Sequence, residues 1–210
     1  MNIQLQHIKP LYMSETEVQV SDIFLKEEVL FEKGQQYLVV AHSGHGKTSI
    51  LNIIYGSNTA YQGAVNYVTT PPLKSPFEVR KSHLSYVFQD FKLFTDLSLF
   101  ENIWLKNVLT HHKTKAEIEE LIDKVQLLHK KDALVKNLSL GQRQRVAIVR
   151  ALCQPFDFIL LDEPFSHLDT ENIHLVANLI TDELKANNAG LIHTSLDGDT
   201  FFNYDKVLSL

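Results

Sequence analysis

One stretch limits what this chain can fold into more than any other: "VVAHSGHGKTSIL", residues 39–51. A short apolar run, "QQYLVVAH", leads into it and suits a strand buried on both faces. The segment "TSILNIIYG" follows, and its spacing reads as a helix stopped at Gly56. Strand, glycine-bearing loop and helix in that order are the setting of the pattern G-x-x-x-x-G-K-[ST]. There, backbone N–H groups turn onto phosphate oxygens, a lysine reaches the terminal phosphates and a hydroxyl holds Mg²⁺. Gly44, Gly46, Lys47 and Thr48 supply those parts, whereas Ala41 stands where the pattern has its first glycine. That position only ends the strand, and even a forced positive φ there would cost roughly 1–2 kcal/mol. The stretch predicts an α/β fold with a phosphate site at a strand end.

Further β-like segments recur at "GAVNYV", "HLSYVF", "DFILLD", "GLIHTS" and "DKVLSL", several apolar enough for burial on both faces. They predict a mainly parallel central sheet. Residues 91–154 carry no strand signal, so a helical subdomain is expected there. Its clearest helix opens with the capping box "TKAE", Thr114 with Glu117, and continues through Ile118, Leu121, Ile122, Val125 and Leu128. A second amphipathic helix is predicted from about Thr170 to Ala186, with Ile173, Val176, Ala177, Ile180 and Leu184 on its core face and Gly190 beyond its end. The Pro-rich "TTPPLKSP" reads as a surface loop.

At 210 residues the chain suits a single α/β domain. A net charge of −5 argues against a general nucleic-acid binder. The lone Cys153 allows no internal disulfide and points to a reducing compartment. No apolar run approaches the roughly 18–20 residues of a membrane span, and "MNIQLQHIKP" lacks the basic start and apolar core of a secretory leader. A cytoplasmic location is expected.

Two more signals carry chemistry. "FILLDEP" is an apolar strand ending in Asp162 and Glu163, where one carboxylate suits Mg²⁺ and the other can polarise a water for attack on a γ-phosphate. "LSLGQRQRVAIVRAL" places Ser139 and Gly141 before a helix whose N-terminus can face an anion. Gln89 in "VFQD" and Asp169 in "SHLD" lie between and after them.

Taken in this order, "AHSGHGKT", "VFQD", "LSLGQ", "FILLDEP" and "SHLD" resemble the Walker A loop, glutamine loop, signature, Walker B strand and D-loop of the nucleotide-binding subunits of ATP-binding cassette (ABC) transporters. The likeness runs over essentially the whole chain. The finer pattern is most similar to the cell-division, lipoprotein-release and macrolide-export group. The resemblance implies a P-loop NTPase fold: a RecA-like core over residues 1–90 and 155–210, with a helical subdomain bearing the signature at 91–154.

It also implies roles. Ser43, Gly44, His45, Gly46, Lys47, Thr48 and Ser49 cradle ATP, and Tyr12 in "IKPLYM" stacks on adenine. Thr48, Gln89 and Asp162 hold Mg²⁺, and Glu163 activates the attacking water with Gln89 beside it. Ser139, Gly141, Gln142 and Asp169 act across a homodimer that encloses two MgATP. The family's switch histidine has two counterparts here. His193 matches by identity, while spacing from Glu163 and from "DKVLSL" puts Ser195 on the switch and His193 two residues deeper on the same strand face. With serine there, and with Leu140 replacing a signature glycine, weak basal ATPase activity is expected.

Between Gln89 and Leu99, the apolar Phe91, Leu93, Phe94 and Leu97 are expected to receive a separate integral membrane permease subunit, which would hold the chain peripherally at the inner face of the membrane. The chain is expected to carry no regulatory tail after "KVLSL" and to bind no nucleic acid. The alternatives are an ATP-gated regulatory subunit with little hydrolysis and a soluble cassette ATPase outside transport. Among the other ionisable residues, His111 and His112 read as a solvated pair, His42 and His45 as outward loop side chains, and Arg143, Arg145 and Arg150 as the charged face of the signature helix.

Overall fold

The computed structural model describes residues 1–73 and 75–210. Its framework is a five-stranded parallel sheet in the order β5-β6-β7-β3-β8. The strands are β3 (Gln36–Val40), β5 (Leu84–Val87), β6 (Phe158–Asp162), β7 (Gly190–Ser195) and β8 (Lys206–Ser209). Five of the six segments with strand signal therefore enter one parallel sheet. Side chains that alternate along β6 and β7 feed two cores on opposite faces. Ile159, Leu161 and Leu191 join one, while Phe158, Leu160 and Ile192 join the other. Such two-sided burial is why these strands read as unbroken apolar runs.

The sixth segment, β4 (Tyr61–Val68), belongs elsewhere. It pairs antiparallel with β1 (Asn2–Pro10), which also pairs antiparallel with β2 (Val29–Phe31). This second sheet was not expected from the sequence. Its strands bury one face: Ile3, Leu5 and Ile8 point into the core while Gln4 and Gln6 hydrogen-bond to Asn66 on the other side. The register slips between Gln6 and Lys9, and Gly63 (φ 92°) lies so close that a Cβ there would run into the main-chain oxygens of Gln6 and His7.

Helices fill the remaining chain: α1 (Glu15–Val18), α2 (Lys47–Tyr55), α3 (Pro76–Ser82), α4 (Leu99–Val108), α5 (Lys115–Lys124), α6 (Leu140–Leu152) and α7 (Thr170–Asn187). Helix α2 ends at Gly56 in the left-handed conformation, and α5 opens on the Thr114–Glu117 capping box, both as the sequence predicts. Two details correct it. The stretch read as a Pro-rich loop leads into α3, capped by Ser75 with proline at the first position; Lys74 within it lies outside the described residues. The α5 stripe stops at Val125, and Leu128 opens a separate 3-10 turn. Helix α7 runs as predicted and is closed by Asn188 at φ 46°, with Gly190 beyond its end. Helices α4, α5 and α6 occupy the chain between β5 and β6, where helices were expected.

Because all five strands run parallel, the segments that follow β3, β5, β6 and β7 leave from one edge of the sheet. That edge gathers the glycine loop, Gln89, the Asp162–Glu163 pair and Ser195, the position where open α/β sheets bind ligands.

Candidate functional site

In the glycine loop, Gly44 (φ 83°) and Gly46 (φ 91°) take left-handed conformations, whereas Ala41 is not among the residues of positive φ. The missing first glycine therefore costs no backbone strain. Ala41 N–H donates to the carbonyl of Ser195, 3.3 Å away, tying the loop's start to the end of β7. Gly46 caps α2 and is crowded from outside: a Cβ there would meet Met13 Cε at 3.1 Å and Phe24 Cζ at 3.2 Å. The loop is thus braced by Met13 and Phe24, a contact absent from any local pattern.

Lys47 is 6% exposed. Its ammonium donates to the carbonyls of Ala41 (2.7 Å) and His42 (3.1 Å) and lies 3.3 Å from Glu163 Oε1. Glu163 adopts φ 48°, uncommon for a residue with a Cβ, and its other oxygen accepts from Gln89 Nε2 at 3.3 Å. Asp162, 1% exposed, accepts from the hydroxyls of Thr194 (3.0 Å) and Tyr86 (3.4 Å) and from Thr48. Burial holds its carboxyl above the ordinary range, against the pull of the Thr48 and Thr194 hydroxyls. Thr194 and Tyr86 carried no sequence signal as partners.

These groups converge. A cavity of about 200 Å³ is lined by Tyr12, Ser43, Gly44, Gly46, Lys47, Thr48, Ser49, Gln89 and Glu163. Tyr12, 62% exposed, reaches it through a 2.7 Å hydrogen bond between its hydroxyl and that of Ser49. The long sequence gap to Lys47 is spanned because β1 ends beside the loop. A second cavity, about 590 Å³, shares Thr48 and Gln89 and adds Asn52, Asn58, Asp90 and Asp162. His42 and His45 are exposed, their rings 5.9 Å apart, and His45 Nδ1 turns back to within 3.1 Å of the Ser43 carbonyl.

Seven predicted residues line neither cavity: His45, His193 and Ser195, and the signature and D-loop residues Ser139, Gly141, Gln142 and Asp169. Ser139 caps α6 and forms a reciprocal capping box with Gln142, at 3.2 Å and 3.0 Å. Gly141 faces the "SHLD" turn so closely that a Cβ would sit 2.8 Å from the His167 carbonyl oxygen. Asp169 caps α7 by accepting from Asn172. Leu140 projects outward at 52% exposure. Gln144, buried and one turn further on, was not anticipated. It accepts from His167 N–H at 3.0 Å and reaches the Glu163 carbonyl at 3.4 Å, so it fixes the turn after β6.

His193 and Ser195 line one cavity of about 290 Å³ together with Glu163, Phe165, Ser166 and Asp199. The two share a strand face, as predicted. His193 is 1% exposed, and its Nδ1 lies 2.7 Å from the Tyr204 hydroxyl, which in turn donates to Asp199 at 2.5 Å. Burial pulls the imidazole down to about 4, so it is neutral at physiological pH. Burial, reinforced by Asp199, keeps the Tyr204 phenol protonated.

The α6 arginines form a charged face that is tied to main-chain carbonyls: Arg143 donates to the carbonyls of Val135, Leu138 and Lys136, Arg145 to Val125, and Arg150 to Lys92. One expectation needs correction: His111 and His112 are not equally solvated, since His112 is half-buried, with its pKa lowered by desolvation. Of the apolar residues after Gln89, Phe91 and Leu93 pack on the core, whereas Phe94 stays 54% exposed with the Arg150 guanidinium 5.6 Å from its ring centre.

Comparison with known proteins gives the family. Residues 27–166 match the family described as ABC transporter. The chain is similar to a lipoprotein-releasing system ATP-binding protein of Treponema denticola, at 36% identity over 166 residues covering 75% of this chain and 73% of that one. A protein of the same description from Saccharophagus degradans is 35% identical over 157 residues, 71% of this chain and 68% of its own. Among solved structures, the dimeric structure of a bacterial ABC transporter cassette superposes with a TM-score of 0.73 at 25% identity, over 91% of this chain and 87% of that one.

Proposed function

The chain belongs to the ABC transporter ATP-binding family, and from that premise we propose that it binds and hydrolyses ATP to drive a separate membrane permease. The observation that carries this reading is Lys47. Its ammonium is nearly buried, aimed at the mouth of a glycine loop, and faced by a strand-end carboxylate. A buried cation held, among the described residues, by carbonyls and one carboxylate is poised to exchange those partners for phosphate oxygens, which are better charge-matched acceptors.

On this reading the loop N–H groups from Ser43 to Ser49 and Lys47 bind the triphosphate, and Tyr12 stacks on the base. Thr48, Gln89 and Asp162 present a hydroxyl, an amide oxygen and a carboxylate, the hard oxygen donors that suit Mg²⁺. When bound, that ion would neutralise charge developing on the phosphates. Glu163 orients and deprotonates the attacking water, held by Gln89 and by the turn that Gln144 fixes. Ser139, Gly141, Gln142 and Asp169 serve the ATP of a second copy, which accounts for their distance from the cavity of their own chain. Residues 1–90 and 155–210 act as the nucleotide-binding core and residues 91–154 as the helical subdomain. Phe94 is the anchor offered to the permease, which keeps the protein at the inner face of the membrane. Ser195, uncharged and shorter than a histidine, favours slow turnover.

ATP titration and phosphate release on the purified chain test this directly. Lys47→Ala is expected to weaken ATP binding about tenfold to a hundredfold, the 1.5–3 kcal/mol of a hydrogen bond to a charged group. Wild-type affinity in that variant would refute the site.

A further inference from the structure

We propose that His193 is a positioning residue for hydrolysis, aimed by Tyr204 and Asp199, and that through it the two strand ends carrying Glu163 and Ser195 are set relative to one another. This rests on the functional reading above but assigns a device that reading does not use.

The chain of hydrogen bonds has one direction. Tyr204 gives its only proton to Asp199 at 2.5 Å, so its oxygen can only accept from His193 Nδ1 at 2.7 Å. The imidazole therefore carries its proton on Nδ1, and the ring plane is fixed. Asp199 Oδ2 stands 3.5 Å from the same nitrogen and closes the triangle. These contacts fasten the segment after Ser195 back onto β7, across the cavity that Ser195 lines.

The ring also touches the segment that follows Glu163. Phe165, two residues beyond it, meets His193 edge-on at 5.5 Å, stacks with Phe202 at 5.9 Å and meets Phe201 edge-on at 5.1 Å. Phe202 also meets His193 at 5.8 Å. A residue with a Cβ at positive φ, as Glu163 is, persists only when its surroundings hold it there. The aromatic cage built on His193 is one such hold. Tilting the ring shifts Phe165, and with it the backbone that aims Glu163.

The test separates ring from hydrogen bond. An asparagine amide can stand where Nδ1 stands, whereas a glutamine amide imitates Nε2. Tyr204→Phe and His193→Gln are expected to lower kcat about threefold to tenfold, the range for losing one buried hydrogen bond, with KM and ATP affinity unchanged. His193→Asn, which keeps a donor at the Nδ1 position but loses the ring that Phe165 packs on, is expected to recover part of kcat relative to His193→Gln. Unchanged kcat in the first two variants overturns the proposal, as does an Asn variant no better than the Gln variant, because the Nδ1 donation would then not matter. Should a variant fail to fold, long-range ¹H–¹⁵N spectra of the unmodified full chain give the tautomer: Nδ1–H supports the proposal and Nε2–H overturns it. The tautomer is read without ATP turnover, so an inactive chain would sink the functional reading and leave this measurement standing.

Discussion

Glu163→Gln is the most informative single change, because it acts on binding and turnover in opposite directions. In the structure Glu163 faces Lys47 at 3.3 Å, with side-chain exposures of 19% and 5%. At an effective dielectric constant of about 20 the gross attraction at that separation is roughly 5 kcal/mol. Desolvation and the competing carbonyls of Ala41 and His42 leave a net restraint of about 1–2 kcal/mol. A triphosphate must displace that restraint, and it also meets the carboxylate as a like charge. Glutamine has the same shape and the same tolerance of φ 48°, so only the charge changes.

ATP affinity is therefore expected to rise about fivefold to thirtyfold, measured by calorimetric titration, while kcat falls about 10²- to 10⁴-fold with loss of the general base. Gel filtration with MgATP should then reveal a dimer. The cause is checked in a Lys47→Ala background, where Glu163→Gln should tighten binding less, by the relief of like charge alone. If ATP binds Glu163→Gln no more tightly than wild type, Lys47 is not restrained by Glu163. If turnover is unchanged, Glu163 is not the base.

Gly141→Ala places a methyl 2.8 Å from the His167 carbonyl oxygen and must push the "SHLD" turn away. Overpacking of about 1–3 kcal/mol outweighs a helix-propensity gain of about 1 kcal/mol, so Tm should drop by roughly 2–4 °C in a thermal melt; a rise would show that the turn yields freely. Phe94→Asp puts a charge on the exposed ring face and should abolish co-purification with the proposed membrane permease while sparing ATP titration. A variant that still co-purifies removes Phe94 from the docking surface. Leu140→Gly clears an outward side chain from the N-terminus of α6 and should strengthen ATP-driven dimerisation, read by sedimentation; an unchanged dimer constant would show that Leu140 is no obstacle.

The elements that could be read from the sequence were those whose burial is local and regular. Strands β3, β6 and β7 are apolar on both faces, and α5 and α7 announce themselves by caps and spacing. Strand β1 escaped because "NIQLQHIKP" buries alternate residues and then shifts register at His7 (φ 50°), which breaks its period. The capping box of α1, Ser14 with Glu17, lay in plain view but led only four residues of helix. In the site, the loop and the acidic strand end were legible because their spacing is the chemistry, and Gln89 was legible only through the family resemblance. Tyr204, Asp199 and Gln144 were not. Each acts through a residue brought close by the fold, and a lone tyrosine or glutamine in sequence carries no mark of the partner it will meet.

The arginines of α6 bear on how this helix tolerates change over evolutionary time. Their acceptors are neutral carbonyls, at distances from 2.6 to 3.1 Å. Salt screens ion pairs between exposed charges but has little purchase on such bonds, so the seating of α6 should be indifferent to ionic strength. Selection at Arg143 would then track shape before charge. A lysine keeps the positive sign but not the planar fork that spans the carbonyls of Val135, Leu138 and Lys136 at once. Drift from arginine to lysine, neutral on most protein surfaces, is expected to be purged here.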